Sequence, residues 1–146
     1  YTHRAIFLAA LSDGKSIVKK ILRSNDTLAT ISACRGFGIE AIEVEDKVTI
    51  NNTIDSTVEN SIINAEKSGT TIRVAIAIAA LSGGNTTLTG DESLKKRPMQ
   101  PILDSLETMG VKTESDNGKP PICINGKIEG NEISINGDIS SQLISK

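Results

Sequence analysis

Two stretches of this sequence repeat each other about 70 residues apart: Ala9-Ala10-Leu11-Ser12-Asp13-Gly14 and Ala79-Ala80-Leu81-Ser82-Gly83-Gly84. Each ends an alanine-rich apolar stretch that begins near an arginine, and the glycines are helix stops. A period of this length constrains the chain to successive copies of one supersecondary unit, because each copy must bury an apolar face against its neighbour.

The residues around the two motifs extend the match. A short polar and β-branched run follows each helix, Lys15 to Val18 and Asn85 to Thr89, and suits a strand. Ser24-Asn25-Asp26 then caps a second helix that passes Ile31 and Cys34 and ends at Gly38. Its counterpart runs from Pro98 through Ile102, Leu103 and Leu106 to Gly110. Two strands joined by turn residues follow each helix: Glu40 to Val44 with Val48 to Asn51, and Val111 to Glu114 with Ile122 to Asn125. The intervening residues, Glu45-Asp46-Lys47 and Asp116 to Pro120, are expected to be hairpin turns. With a strand over Ser61 to Ala65, the second unit reads β-α-β-α-β-β. The fold class is therefore α/β with repeated β-α-β-α-β-β units: a first at about 1–55, a second at about 56–130, and the start of a third at about 131–146. The third opens on the alternating Glu132 to Asn136, followed by Gly137-Asp138-Ile139-Ser140-Ser141-Gln142. The chain begins directly on helix-like residues and stops soon after this new segment, so both ends are expected to lie inside a longer chain.

Length and charge narrow the function. A chain of 146 residues with 38% hydrophobic side chains can bury one modest core and has no room for a second full domain. Sixteen basic against eighteen acidic residues give a net charge of -2, so no global field draws nucleic acid or an anionic membrane, and any anion site must be local. Only three aromatic residues are present, which removes stacking platforms for single-stranded nucleic acid. Cys34 and Cys123 lie in apolar settings without metal-ligand spacing and are expected to be buried, reduced thiols; with His3 the single histidine, a histidine-rich metal site is excluded. No apolar run reaches the length of a membrane span, and a cytoplasmic protein is expected.

Candidate chemistry gathers at strand-to-helix junctions. In Lys67-Ser68-Gly69-Thr70-Thr71-Ile72-Arg73 the glycine and small hydroxyl residues leave backbone N–H groups free to face an anion, although Ser and Thr also serve there as plain helix caps. Its spacing is not that of a Walker loop. Lys95-Lys96-Arg97-Pro98-Met99 puts three cations before a helix, where acidic residues are preferred. Either a bound anion or a solvated basic turn accounts for it, and Arg97 can grip a carboxylate or phosphate through two parallel bonds. Arg4 lies in the corresponding region of the first unit, and Ser140, Ser141 and Gln142 open the third. His3 reads as an exposed, incidental histidine or a general base.

At these residues the sequence resembles the 5-enolpyruvylshikimate-3-phosphate (EPSP) synthase family. The resemblance spans essentially the whole chain and rests on His3-Arg4-Ala5, Ser68-Gly69-Thr70-Thr71-Ile72-Arg73, Thr89-Gly90-Asp91-Glu92-Ser93-Leu94 with Arg97-Pro98-Met99, and Gly137-Asp138-Ile139-Ser140-Ser141-Gln142. It implies the inside-out α/β barrel of the enolpyruvyl transferases, two domains of three units each. The implied activity is transfer of the enolpyruvyl group of phosphoenolpyruvate to the 5-hydroxyl of shikimate 3-phosphate in aromatic amino acid biosynthesis. Arg4, Ser140, Ser141 and Gln142 match positions that bind shikimate 3-phosphate. Gly69, Arg97 and Gln142 match positions that bind phosphoenolpyruvate, with Thr70 and Arg73 in support. Neither metal nor cofactor is implied, and the partners are the two substrates and the remainder of the parent chain. The resemblance places the acid–base groups and further cations elsewhere, including a Lys-Ser pair before Tyr1 and the other domain, so no catalytic residue is assigned within these residues and the piece alone is expected to be inactive. Two departures stand out: Lys67, where many relatives have asparagine, and Val74, where some have proline. Lys67 adds a cation near the expected phosphoenolpyruvate site, which bears on substrate affinity and inhibitor sensitivity.

Two alternatives have different signatures. A sister transferase acting on UDP-N-acetylglucosamine shares the fold but brings a cysteine loop and sugar-nucleotide contacts that are not seen here. A non-catalytic anion-binding module of the same fold would keep the units without the chemistry, against which the arginines and Ser140-Ser141-Gln142 argue.

Overall fold

Alternating apolar residues make half-buried strands of one set of segments, and 3.6-residue spacing makes helices of the rest. The computed structural model describes residues 1–52 and 59–130, so the expected third-unit strand and Ser140, Ser141 and Gln142 lie outside the described residues. The order is α1 (Thr2–Leu11), β1 (Gly14–Lys19), α2 (Asn25–Gly36), β2 (Glu40–Val44), β3 (Lys47–Asn52), β4 (Asn60–Asn64), α3 (Gly69–Ser82), β5 (Asn85–Thr89), a 3-10 turn (Leu94–Lys96), α4 (Gln100–Thr108), β6 (Lys112–Asp116) and β7 (Lys119–Asn125).

The repeated Ala-Ala-Leu-Ser motif does the same work twice. Ala9 and Ala10, like Ala79 and Ala80, are buried, whereas Leu11 and Leu81 face outward at 46% and 48% exposure. Ser12 Oγ donates to the carbonyls of Leu8 and Ala9 at 3.1 and 2.9 Å, and Ser82 Oγ donates to those of Ile78 and Ala79 at 3.0 and 3.2 Å. Each serine thus adds a side-chain donor to carbonyls in the last turn of its own helix.

Two sheets carry the same strand plan. One has the order β1-β3-β2, all antiparallel; the other has the order β4-β5-β7-β6, in which β5, β7 and β6 repeat that plan and β4 adds a parallel partner to β5. In the second hairpin Asp116 pairs with Lys119, leaving only Asn117 and Gly118 in the turn, both at positive φ, as a tight two-residue connection requires. The strand expected from Ile122 therefore begins three residues earlier. Pro120 and Pro121 are tolerated in it because β5 pairs only with Ile122 to Asn125, and because the β6 register is broken between Ser115 and Asp116.

Helices α1, α2 and α3 pack between the sheets, and α4 packs on β6. Ile6 and Ala10 of α1, Ile31 and Cys34 of α2, Val48 and Ile50 of β3, Ile63 of β4, Ile72 and Ile76 of α3, and Ile122 and Ile124 of β7 belong to one aliphatic core. Each buried isoleucine contributes roughly 1.5–3 kcal/mol. Helix α2 joins the two halves, contacting α1 and β2 on one side and β4 and α3 on the other. Its last residue, Gly36, lies against the Ile63 side chain, where a Cβ would collide. Cys34 is fully buried as expected, but Cys123 is only half-buried, its sulfur 3.5 Å from Thr87 Oγ1. Among the described residues no helix is long and apolar enough to cross a membrane.

Candidate functional site

Parallel strands β4 and β5 bring their carboxyl ends together, and the pairing continues beyond both. The Ala65 N–H donates to the Thr89 carbonyl and the Asp91 N–H to the Glu66 carbonyl, each at 2.9 Å. Loops leaving such neighbouring strand ends are where α/β folds commonly hold ligands. Gly90 makes the approach feasible, since a Cβ there would lie 2.7 Å from the Glu66 carbonyl oxygen and would overlap the Leu94 side chain.

Asp91 shapes the second loop. Its Oδ1 accepts from Ser93 Oγ (2.7 Å), the Leu94 N–H (2.9 Å) and the Ser93 N–H (3.1 Å). These bonds, the Ser93 hydroxyl foremost, hold its carboxyl below the usual carboxylate range, with the Lys67 charge as a further contribution. The 3-10 turn that results ends at Arg97, whose N–H donates to the Leu94 carbonyl at 3.0 Å. The basic run is therefore not the immediate lead-in to α4, as the sequence suggested. Lys95 and Lys96 belong to the 3-10 turn, Lys95 pairs with Glu92 at 3.0 Å, α4 starts at Gln100, and the proline in its first turn is Pro101. Of this run, Arg97 reaches the junction.

Ser68 caps α3. It is buried, and its Oγ accepts from the Thr71 N–H at 3.2 Å. The capping account of the Ser-Gly-Thr-Thr loop thus holds for Ser68 and Thr71, while Gly69 does something else. Built onto Gly69, a Cβ would lie 2.7 Å from Arg97 Nη1 and 3.0 Å from Arg73 Nη1. Two guanidinium groups therefore converge on the bare α-carbon at the first residue of a helix. Arg73 Nη1 also donates to the Gly69 carbonyl at 3.0 Å. Burial, and then the Arg97 charge, lower the pKa of Arg73 from its ordinary value. An anion at this point would offset the mutual repulsion and meet both forks and the helix N-terminus.

Thr70 is half-buried in the first turn of α3, and Arg4 is exposed in the first turn of α1. His3 is not the exposed residue expected from the sequence: it is half-buried, with Nδ1 2.7 Å from Thr30 Oγ1. Lys67 is exposed and borders a groove of ≈ 820 Å³ that is also lined by Ser24, Asn25 and Asp26 of the α2 start; Gly69, Arg73 and Arg97 are not among its lining residues. Sequence reasoning missed Thr30 as a contributor to this region, and it quoted Thr71 and Asp91 within their motifs without a role of their own. Asp91-Glu92-Ser93 does carry a local signal, an Asx-type turn; Thr30 carries none.

All 146 residues match the family described as EPSP synthase (3-phosphoshikimate 1-carboxyvinyltransferase). A protein of that name from Nitrosopumilus maritimus is 52% identical over 146 residues, covering 99% of this chain and 34% of the relative. One from Methanothermobacter thermautotrophicus is 44% identical, covering 99% and 35%. Among solved structures, an EPSP synthase from Acinetobacter baumannii superposes with a TM-score of 0.85 at 28% identity, covering 97% of this chain and 33% of that one. The chain spans about a third of the length of the curated relatives it matches.

Proposed function

Because this chain belongs to the EPSP synthase family, we propose that the whole protein transfers the enolpyruvyl group of phosphoenolpyruvate to the 5-hydroxyl of shikimate 3-phosphate. The convergence of Arg73 and Arg97 on Gly69 carries this reading, because phosphoenolpyruvate presents a phosphate and a carboxylate that need cationic forks and close backbone approach. In the proposed reaction the 5-hydroxyl adds across the enol double bond, giving a tetrahedral intermediate, and phosphate leaves as the double bond re-forms. One proton is delivered to the methylene carbon and later withdrawn, and the hydroxyl proton is lost. These residues are assigned binding and orientation; the proton-transfer groups are assigned to the rest of the protein.

Gly69 and Arg97, with Gln142, take phosphoenolpyruvate, and Thr70 and Arg73 support them. Arg4, Ser140, Ser141 and Gln142 take shikimate 3-phosphate. The division into units at about 1–55, 56–130 and 131–146 is part of the same proposal, supported by the matching strand plans of the two sheets. So is a cytoplasmic setting, with which two free cysteines agree.

Phosphate release and product mass, measured on the complete protein with both substrates, test the reading. Stoichiometric release of phosphate with the enolpyruvyl ether is expected. Release without the ether, or neither, would overturn it.

A further inference from the structure

Helices α1, α2 and α3 are tied together by a line of side-chain hydrogen bonds. His3 Nδ1 lies 2.7 Å from Thr30 Oγ1, Thr30 Oγ1 lies 2.8 Å from Thr71 Oγ1, and the Thr71 hydroxyl donates to Ser68 Oγ at 2.8 Å. Thr30 and Thr71 are 0% exposed and Ser68 is 2% exposed, so these three hydroxyls form an interior polar line among hydrophobic core residues.

Each hydroxyl has one proton, which gives the line a direction. The Thr71 proton goes to Ser68. The Thr30–Thr71 contact then needs the Thr30 proton, although the Asp26 carbonyl, 3.1 Å from Thr30 Oγ1, competes for it. In either case Thr30 has no proton for His3, so His3 Nδ1 must be the donor. At one end of the line is the residue before Arg4; at the other is the cap before Gly69.

Valine would fill the same volumes as these threonines without needing partners, and apolar packing tolerates small slides between helices. A hydrogen bond does not tolerate them, since it weakens steeply with distance and angle. We propose that Thr30 and Thr71 are positioning residues that hold the first turn of α1, bearing Arg4, in register with the first turn of α3, bearing Gly69. This rests on the assignment of those two turns to the two substrates. Neither threonine is required to touch a ligand. Each half-site keeps its own groups when the line is cut, so ground-state binding is preserved while the relative placement of the reacting atoms is lost.

The test is made on the complete protein with Thr30→Val, Thr71→Val, the double valine variant and Thr71→Ser. Each single valine variant is expected to lose about tenfold in kcat with both KM values within about threefold of the parent. The double variant should be less destabilised than the sum of the singles, because both ends of the Thr30–Thr71 bond are removed together, yet its kcat should stay low. Thr71→Ser restores the hydroxyl and should stay within about twofold of the parent in kcat. Should Thr71→Val not fold, Thr30→Val and the double variant carry the same comparison. Parental kcat in the valine variants, or a kcat that recovers in step with Tm in the double variant, would show a merely structural role and overturn the proposal. A parent protein that makes no product from these substrates would sink the functional reading and this inference together; normal parental turnover with unaffected variants sinks the inference alone.

Discussion

Replacing Gly69 by alanine is the smallest change that separates the binding role of the junction from its structural one. The added methyl carbon would lie 2.7 Å from Arg97 Nη1 and 3.0 Å from Arg73 Nη1, where ordinary contact begins at 3.4 Å. The guanidinium groups must therefore withdraw by about 0.7 and about 0.4 Å, which a flexible side-chain end does cheaply. Folding is expected to change by less than about 1 kcal/mol, helped by alanine's better helix propensity. Binding is different. A charge-assisted hydrogen bond contributes roughly 1.5–3 kcal/mol, and a shift of about 0.7 Å at a bond of about 2.8 Å removes most of it. Loss of one such bond raises KM for phosphoenolpyruvate roughly ten- to hundredfold, with KM for shikimate 3-phosphate nearly unchanged. Steady-state kinetics of the complete protein, alongside thermal melting, measure both. A KM for phosphoenolpyruvate within about twofold of the parent in a normally folded variant would refute the placement of that ligand at Gly69.

Gly90→Ala should behave in the opposite way: its Cβ meets the Glu66 carbonyl and the buried Leu94, neither of which can swing aside, so a lowered Tm is expected in melting experiments. Ser24→Ala removes the acceptor for the Thr27 N–H and should cost about 1 kcal/mol by denaturant titration without altering kcat. Burial pushes the Cys34 thiol up to about 12, so a thiolate-directed reagent at pH 8 should modify Cys123 well before Cys34, as peptide mapping would show. The depressed pKa of Asp91 contributes stability above the ordinary carboxylate pKa that is lost as pH falls through the folded value; the Tm gap between the parent and Asp91→Asn should therefore shrink below about pH 4.

Much of the architecture is legible because local chemistry and tertiary packing agree. Ser24 caps where a serine before Asn-Asp should, β2 and β5 occupy the expected residues, and Ala-Ala-Leu-Ser recurs because two equivalent helices need a small buried pair and a hydroxyl on last-turn carbonyls. The departures come from longer-range effects. Pro120 and Pro121 argue against a strand until the partner strand is seen to stop short of them. The cationic run looked like a helix lead-in because nothing local reveals that Asp91 diverts it into a 3-10 turn. The Gly69–Arg97 approach was expected from family resemblance, whereas its physical cause, continued pairing past β4 and β5, depends on residues far apart in the chain. Thr30 and Thr71 meet across 41 positions, and neither has a neighbour that signals the other.

In the proposed function successive units hold different ligands, Arg4 of the first unit taking shikimate 3-phosphate and Arg97 of the second taking phosphoenolpyruvate. Reciprocal kinetics of Arg4→Ala and Arg97→Ala in the complete protein test it most directly. A rise of at least about tenfold is expected in KM for phosphoenolpyruvate alone with Arg97→Ala, and for shikimate 3-phosphate alone with Arg4→Ala. Equal effects on both substrates from either variant, or none, would contradict it.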